Sequence, residues 1–351
     1  MQKRIKKIQD FLAQEKIDGL LVLNPSNRYY LSKFELKDVQ YNESAGFLIV
    51  TLDDVYLFTD SRYFEEARRY FEQDKIFIYA KDKFNYIRDR LKNKLKISTL
   101  GFEYYYFPYE FYDHLSGSFD LVPTKYLIEK IRQIKDEREL DKIITSNKLV
   151  SEVFDLLPSY FQEGQTEQEL AWFIEKFFRE KGALELAFPS IVAFGQNAAK
   201  PHALPSARKL KKNEVILIDI GCRFQDYCSD QTRTFWFGDK PSTDFTFNFN
   251  LVVKAQEKAI NFIQPGREIR EAYFLVKDFF KSYGVDQYFT HALGHGIGLD
   301  THELPSITPK NENKFEPGMV ITIEPGLYYP EWGGIRQEYM VLVTEKGARI
   351  I

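Results

Sequence analysis

The sequence predicts an α+β protein in two parts, a smaller α/β domain over residues 1–124 and a larger α+β domain over residues 125–351. Three observations predict it. At 351 residues the chain exceeds the ~250–300 at which a single core usually splits. Its first third alternates strand-like apolar runs with helical periodicities, the pattern of an α/β unit. From Tyr126 onward the order becomes helices, strands, helices and strands again, which suggests a duplicated α+β half without a residue-level repeat. A content of 44% hydrophobic and 28% charged residues suits an ordinary globular protein and leaves enough apolar side chains for two cores.

In the first part, Ile5, Ile8 and Leu12 recur at helical spacing, and "GLLVLNPSN" reads as a buried strand running into a turn. "AGFLIVTLDDVYLFTD" holds two apolar runs around Asp53 and Asp54, a β-hairpin pattern. In "SRYFEEARRYF", Ser61 stands as the N-cap of a helix whose Phe64, Ala67 and Phe71 share one face. A strand near "KIFIYA", a helix through "FNYIRDRLKNKL" and a strand near "STLGFE" continue the alternation. The charged segment from Tyr126 to about Leu157, before Pro158, reads as one helix opening the second part. "EGQTEQELAWFIEKFFREKG" follows, with Thr166 and Glu169 spaced as a capping box and Gly182 as a stop. Strands are expected at "SIVAFG" and "EVILIDIG", then a hairpin through "YCSDQTRTFWF". Helices over about 250–263 and 268–283 precede closing strands at "MVITIEPGLYY" and "RQEYMVLVT".

The formal net charge of −3, from 48 basic and 51 acidic residues, gives no pull toward nucleic acid or an anionic membrane. Lys3, Arg4, Lys6 and Lys7 read as a solvated helix face. No run approaches the ~18 consecutive apolar residues of a membrane span. Asp10, Glu15, Lys16 and Asp18 interrupt any signal-peptide-like stretch, so the start reads as that of the mature chain. The two cysteines, Cys222 and Cys228, lack metal-type spacing. A chain so poor in cysteine is expected in the reducing cytoplasm.

Chemistry concentrates in the second part. "VILIDIG" places Asp219 at the end of an apolar run, and Asp230 follows eleven residues later on what should be the neighbouring strand. Alternation gives Asp230, Thr232 and Thr234 one face and Val215, Leu217 and Asp219 another, so a hairpin can bring both carboxylates together. Glu324 closes "VITIE" before Pro325, and Glu338 lies fourteen residues on in "GGIRQEYM". Arg336 should share a face with Glu338 and orient its carboxylate. Facing carboxylates in a core are costly unless a cation neutralises them, and four of them require about two divalent ions. Three of the five histidines, His291, His295 and His302, fall within "HALGHGIGLDTHE". Neutral imidazole is a common metal ligand, and glycine lets backbone approach a crowded site. His202 lies in "NAAKPHALP", whereas His114 in "FYDHLSG" has no such company and reads as surface.

The order Asp219, Asp230, His295, Glu324, Glu338 resembles that of the pita-bread dinuclear metallopeptidases: methionine aminopeptidase, aminopeptidase P and prolidase. The eleven-residue Asp–Asp gap, "GHGIG", "IEPG" and "RQE" all agree. "GLLVLNPSNRYYLSKF" and "LFTDSRYFEEA" resemble the creatinase-type N-terminal domain of the proline-specific branch. The departures are Tyr339, where an acid commonly follows the last ligand, and Cys222, where alanine is common. The resemblance implies a pita-bread catalytic domain behind a creatinase-type domain. It implies that Asp230, His295 and Glu324 hold one metal with Glu338, while Asp219 holds the other with Asp230 and Glu338 bridging. His202, His291 and His302 match outer histidines that contact substrate and move protons, with Glu324 taking a proton from water. Tyr328 and Arg336 match residues placed around the substrate or the ligands, and His202 and His302 are expected there too.

The activity so implied is hydrolysis of the bond between an N-terminal residue and a following proline, that of an Xaa-Pro aminopeptidase. An Xaa-Pro dipeptidase (prolidase) is the alternative. A non-peptidase binding module on the same fold is a more distant one, because such branches lose the acidic ligands that this chain keeps. The expected cofactors are two divalent metal ions. A carboxylate-rich site with one imidazole and no thiolate favours Mn²⁺, with Co²⁺ or Zn²⁺ as further candidates. The expected partners are a peptide with proline second and a further copy of the chain in a homodimer.

Overall fold

The computed structural model describes residues 2–38 and 43–351. The chain forms two compact units, Met1–Arg132 and Gln133–Ile351. No helix among the described residues is long and apolar enough to cross a membrane.

The first unit is built on a six-stranded mixed sheet. Gly19–Val22 lies inside it, antiparallel to Phe47–Thr51 and parallel to Thr99–Glu103. All four of its residues are buried, which is why "GLLV" runs apolar without alternating. Helix Gln2–Glu15 buries Ile8 and Leu12. Behind the hairpin the structure departs from expectation. The helix anticipated after Ser61 is only a 3-10 turn, Ser61–Tyr63, followed by Phe64–Ala67. Its cap is Asp60, not Ser61: the carboxylate accepts Arg62 N–H at 2.9 Å and binds the Arg62 guanidinium at 2.8 Å. An anionic acceptor one residue upstream outcompetes a hydroxyl. Within Phe64–Ala67 only Ala67 is buried, so no apolar stripe anchors further turns.

The single helix expected from Tyr126 is two helices, Leu127–Arg132 and Glu137–Tyr160. Arg132 Nη1 donates to Asn27 Oδ1 at 2.8 Å, which ties the short helix to the first unit. Asp136 and Glu139 then start the next helix as a reciprocal capping box. The units accordingly part after Arg132, downstream of the 124/125 boundary read from composition.

A buried carboxylate sits in this first unit. Glu103 accepts from Leu23 N–H (2.6 Å), Asn24 N–H (2.8 Å) and Asn27 Nδ2 (2.7 Å). Burial pushes its pKa up to about 7 although those donors pull it down. A carboxyl raised in the folded state binds more protons folded than unfolded. Its contribution is therefore fully present below the unfolded value, near ~4.3, and is lost as pH rises toward 7. Relative to Glu103→Gln, wild type should lose about 3 kcal/mol of stability over that window. Urea unfolding of both proteins at pH 5 and pH 8 checks this, and parallel pH dependences would count against it.

The second unit places two strand groups around one centre. The strand Glu214–Ile220 lies between Ile191–Phe194 and Gln231–Phe237, antiparallel to both. Its alternate residues serve two cores. Val215 and Leu217 join Leu251, Ala255, Val276 and Phe280, while Ile216, Ile218 and Ile220 join Val150, Val153, Leu170 and Ile174. A five-stranded sheet runs in the order Glu303–Ile307, Gly294–Gly296, Val320–Ile323, Tyr339–Thr344, Gly347–Ile350. The hairpin Gly326–Tyr329/Gly333–Arg336 stands beside it. Helix Glu167–Glu180 carries the Thr166/Glu169 capping box. Helix Thr243–Phe262 begins well before residue 250, because Ser242 Oγ accepts Phe245 N–H at 3.1 Å and buried Phe245 anchors the first turn. Helix Ile269–Lys281 follows.

Candidate active site

Five ligand-type residues converge from strand ends. Asp219 lies next to the end of Glu214–Ile220, opposite Thr232 in the register. Asp230 immediately precedes Gln231–Phe237, His295 sits within Gly294–Gly296, and Glu324 follows Val320–Ile323. Glu338 occupies the crossing between Gly333–Arg336 and Tyr339–Thr344, where its N–H donates to Thr232 O at 3.1 Å. The glycines flanking His295 are steric necessities. A Cβ on Gly294 would collide with Thr322 O, and one on Gly296 with Leu304 O.

The polar atoms of these residues form overlapping groups. One oxygen or nitrogen each from His295, Glu324 and Glu338 lies within 4.8 Å of the others, and so does one each from Asp219, Asp230 and Glu338. Glu338 belongs to both. A third group joins Asp230, His295 and His302. Burial, then Glu338, Asp219 and Glu324, hold the Asp230 carboxyl well above the usual carboxylate range. Burial, then Glu324 and Asp219, raise Glu338 likewise. Glu324 is raised by burial, with His291 and Arg336 acting in the opposite sense. The single buried guanidinium of Arg336 cannot neutralise four carboxylates.

Divalent cations fit this donor set on three counts. Asp219 Oδ1, Asp230 Oδ1 and Glu338 Oε1 are buried without a hydrogen-bond partner, a costly state for carboxylate oxygens unless something else satisfies them. His295 Nδ1 faces Gly296 O at 3.1 Å, so Nδ1 carries the proton and Nε2 keeps its lone pair. That Nε2 stands 3.4 Å from Glu324 Oε1 and 3.6 Å from Asp230 Oδ2, spaced as around a shared centre. Burial lowers the His295 pKa, which keeps the ring neutral and able to ligate.

Behind the ligands lies a fixed polar layer. Arg336 donates from Nη2 to Asp219 Oδ2 (2.6 Å), from Nη1 to Tyr328 Oη (2.7 Å) and from Nε to Thr232 Oγ1 (3.0 Å). Arg336 thus binds Asp219 directly, and its hydrogen bonds reach Glu338 through Thr232, whose hydroxyl donates to Glu338 Oε2 at 2.8 Å. This corrects the expectation of a direct Arg336–Glu338 contact. The strand ends at Arg336 and the chain crosses to another sheet, so alternation does not carry to 338. Thr322 does the matching service, donating to Glu324 Oε1 (3.2 Å) while accepting His295 N–H (3.1 Å). Neither threonine was singled out from sequence as a site residue. The available signal was their position two residues from Asp230 and Glu324.

His291 Nδ1 donates to Ala292 O at 2.7 Å, so Nε2 accepts the Tyr328 hydroxyl at 2.8 Å. Burial lowers the His291 pKa and keeps it neutral. His202 and His302 are exposed residues of the pocket lining, and the His302 ring lies 4.1 Å from that of His295. Tyr339 lies under the Arg233 guanidinium (4.2 Å), whose Nη1 donates to Glu338 O. Cys228 Sγ points to Leu299 O and belongs to none of the ligand groups, and burial pushes its thiol up to about 11. His114, in the first unit, stacks on Phe84 at 4.0 Å. The cavity beside the acids holds about 390 Å³ and is walled on its apolar side by Phe188, Pro189, Ile191, Pro201, Leu204 and Ala292.

The fold and this cluster of carboxylates and imidazoles define a metal-dependent hydrolase of peptides. The chain belongs to metallopeptidase family M24, which it matches over residues 141–345, and residues 4–134 match the creatinase/prolidase N-terminal domain. It is 31% identical to an uncharacterized peptidase, YqhT, of Bacillus subtilis (strain 168), over 99% of this chain and 97% of that one. Among solved structures, the Xaa-Pro dipeptidase from Bacillus anthracis superposes with a TM-score of 0.92 at 32% identity, over 99% of this chain and 96% of that one. The prolidase from Pyrococcus horikoshii OT3 gives 0.90 at 30%, over 99% and 97%.

Proposed function

We propose that the protein hydrolyses the bond between an N-terminal residue and a following proline, using two divalent cations held by Asp219, Asp230, His295, Glu324 and Glu338. The observation that carries this is the convergence of these groups, with three carboxylate oxygens unpaired, beside an apolar cavity. Held by these residues, two divalent ions would supply Lewis-acid polarisation of the scissile carbonyl and a water of lowered pKa, toward ~7. Mn²⁺ suits the oxygen-rich donor set, with Co²⁺ or Zn²⁺ as alternatives.

The residues supply the rest. Glu324 takes the proton released by water as the new C–O bond forms, and delivers it to the proline nitrogen as the C–N bond breaks. His291, kept neutral by burial and held in place by Tyr328, is the neighbouring proton carrier. His202 and His302 hydrogen-bond the substrate carbonyl oxygen as it gains charge. An imide nitrogen offers no N–H, so the proline is selected by its ring, against Phe188, Ile191 and Pro201. The two free, buried thiols support a reducing compartment, the cytoplasm.

An aminopeptidase range is supported by Arg336. Four of its five N–H donors already serve Thr232, Tyr328, Pro201 O and Asp219, which leaves little of its fork for a bidentate hold on the terminal carboxylate of a dipeptide. The dipeptidase reading is favoured by the names of the B. anthracis and P. horikoshii neighbours. Mn²⁺-loaded enzyme should cleave Xaa-Pro-Yaa at least as well as Xaa-Pro, and should disfavour Xaa-Ala-Yaa by roughly 10–200-fold. Cleavage of the dipeptide alone would select the prolidase reading. Failure on every proline peptide would end the proposal.

A further inference from the structure

The segment joining the two family regions carries a lysine that neither covers. Lys135 lies between residue 134, where the first match ends, and residue 141, where the second begins. Its Nζ sits 3.0 Å from Glu303 Oε1, with the two side chains 1% and 6% exposed. A buried ion pair contributes little net stability, because desolvation offsets the attraction. Its position is more informative. Glu303 follows His302, and its backbone pairs with Gly296 just past the register shift at His295/Gly296. Its carboxylate fills the space beside Gly298, where any Cβ would collide with Oε1. Gly298 N–H donates to Asp300 O inside the same loop. Lys135 is anchored at its other end: its N–H donates to Gly318 O at 2.9 Å, and Ile134 bridges Met319. Met319 leads directly into Val320–Ile323, the strand before Glu324. Gly294–Gly296 and Val320–Ile323 are paired directly at Gly296 and Ile321, and the ion pair adds a second tie, from the residue after His302 to the segment that leads into the strand before Glu324.

We propose that Lys135 and Glu303 are positioning residues of the metal site, setting the His295 ring against Glu324 and so governing metal affinity from beyond the ligands. This rests on the metal-site reading above. The double variant Lys135→Met/Glu303→Leu replaces the pair with apolar side chains, a change that folded proteins commonly tolerate. Chelator-stripped wild type and variant are titrated with Co²⁺ by calorimetry and visible absorption. The expected result is a folded variant with little change in melting temperature, a Co²⁺ dissociation constant raised roughly 10–100-fold, and an altered cobalt band. On Xaa-Pro-Yaa, kcat should fall while KM stays within about twofold, since the pair does not touch substrate. Unchanged cobalt affinity and spectrum would overturn the proposal, and so would a variant that cannot fold, which would make the pair a determinant of the fold itself. Wild type that takes up no Co²⁺ would remove the metal-site reading and this inference together, an outcome distinct from either.

Discussion

Glu338→Gln should abolish turnover and yet stabilise the metal-free protein. Glu338 lies in both overlapping ligand groups, so the substitution damages both centres. Activity should fall by well over ~100-fold, beyond the ~10–100-fold cost of losing a group that only orients a ligand. Stability should move the other way. Without cations the Glu338 carboxyl is held far above its usual range, chiefly by burial and then by Glu324 and Asp219. Folding near neutral pH must therefore either protonate it or bury a repelled charge, and an amide of the same shape avoids both. The Thr232 hydroxyl that donates to Glu338 Oε2 can donate equally to an amide oxygen. The gain expected in chelator is about 1–3 kcal/mol, or roughly 2–8 °C in melting temperature. With Mn²⁺ at about 1,000 times its dissociation constant, wild type gains ~4.1 kcal/mol, more than the variant's advantage, and the order reverses. Melting curves of both proteins in chelator and in Mn²⁺ read the crossing. A variant less stable than wild type in chelator would mean that the carboxylates are paired in some other way.

Arg336 should tolerate no substitution. Its guanidinium reaches Asp219, Tyr328 and Thr232 from three nitrogens, and Nη1 also lies 3.3 Å from Pro201 O. Arg336→Met leaves the Asp219 carboxylate buried without its cation, a loss of about 3–5 kcal/mol. Arg336→Lys keeps the charge but offers one point of contact where three are used, so it should rescue little. Both variants should lose at least ~10-fold in kcat/KM, because Tyr328 fixes His291 and Thr232 steers Glu338. Near-wild-type kinetics in Arg336→Lys would show that net charge alone matters there.

What the sequence disclosed follows from period and spacing. Asp219 stands next to last in a seven-residue strand whose residues 215–218 are all apolar, and its partner Asp230 stands directly before the adjacent strand, so a hairpin fixes their approach. His295 was legible because glycines surround it, and each of Gly294 and Gly296 lies too close to neighbouring backbone for any other residue. What stayed hidden depends on register between distant segments. Thr232 reaches Glu338, and Arg336 reaches Asp219, across more than 100 residues of chain. The break at Gln133–Asp136 was masked by continuous helical composition. It arises because Ile134 bridges Met319 and Asp136 caps a new helix. The early start at Thr243 was masked by "TDFTFNFN", whose alternating aromatics mimic a strand although Ser242 caps a helix.

Buried anionic oxygens arranged around a pair of cations should take up metal with a fixed stoichiometry. Calorimetric titration of chelator-stripped protein with Mn²⁺ measures it most directly. Two ions per chain are expected for wild type, with at least one lost in Glu338→Gln. No uptake by wild type, or full uptake by the variant, would leave Asp219, Asp230, Glu324 and Glu338 clustered for some reason other than metal.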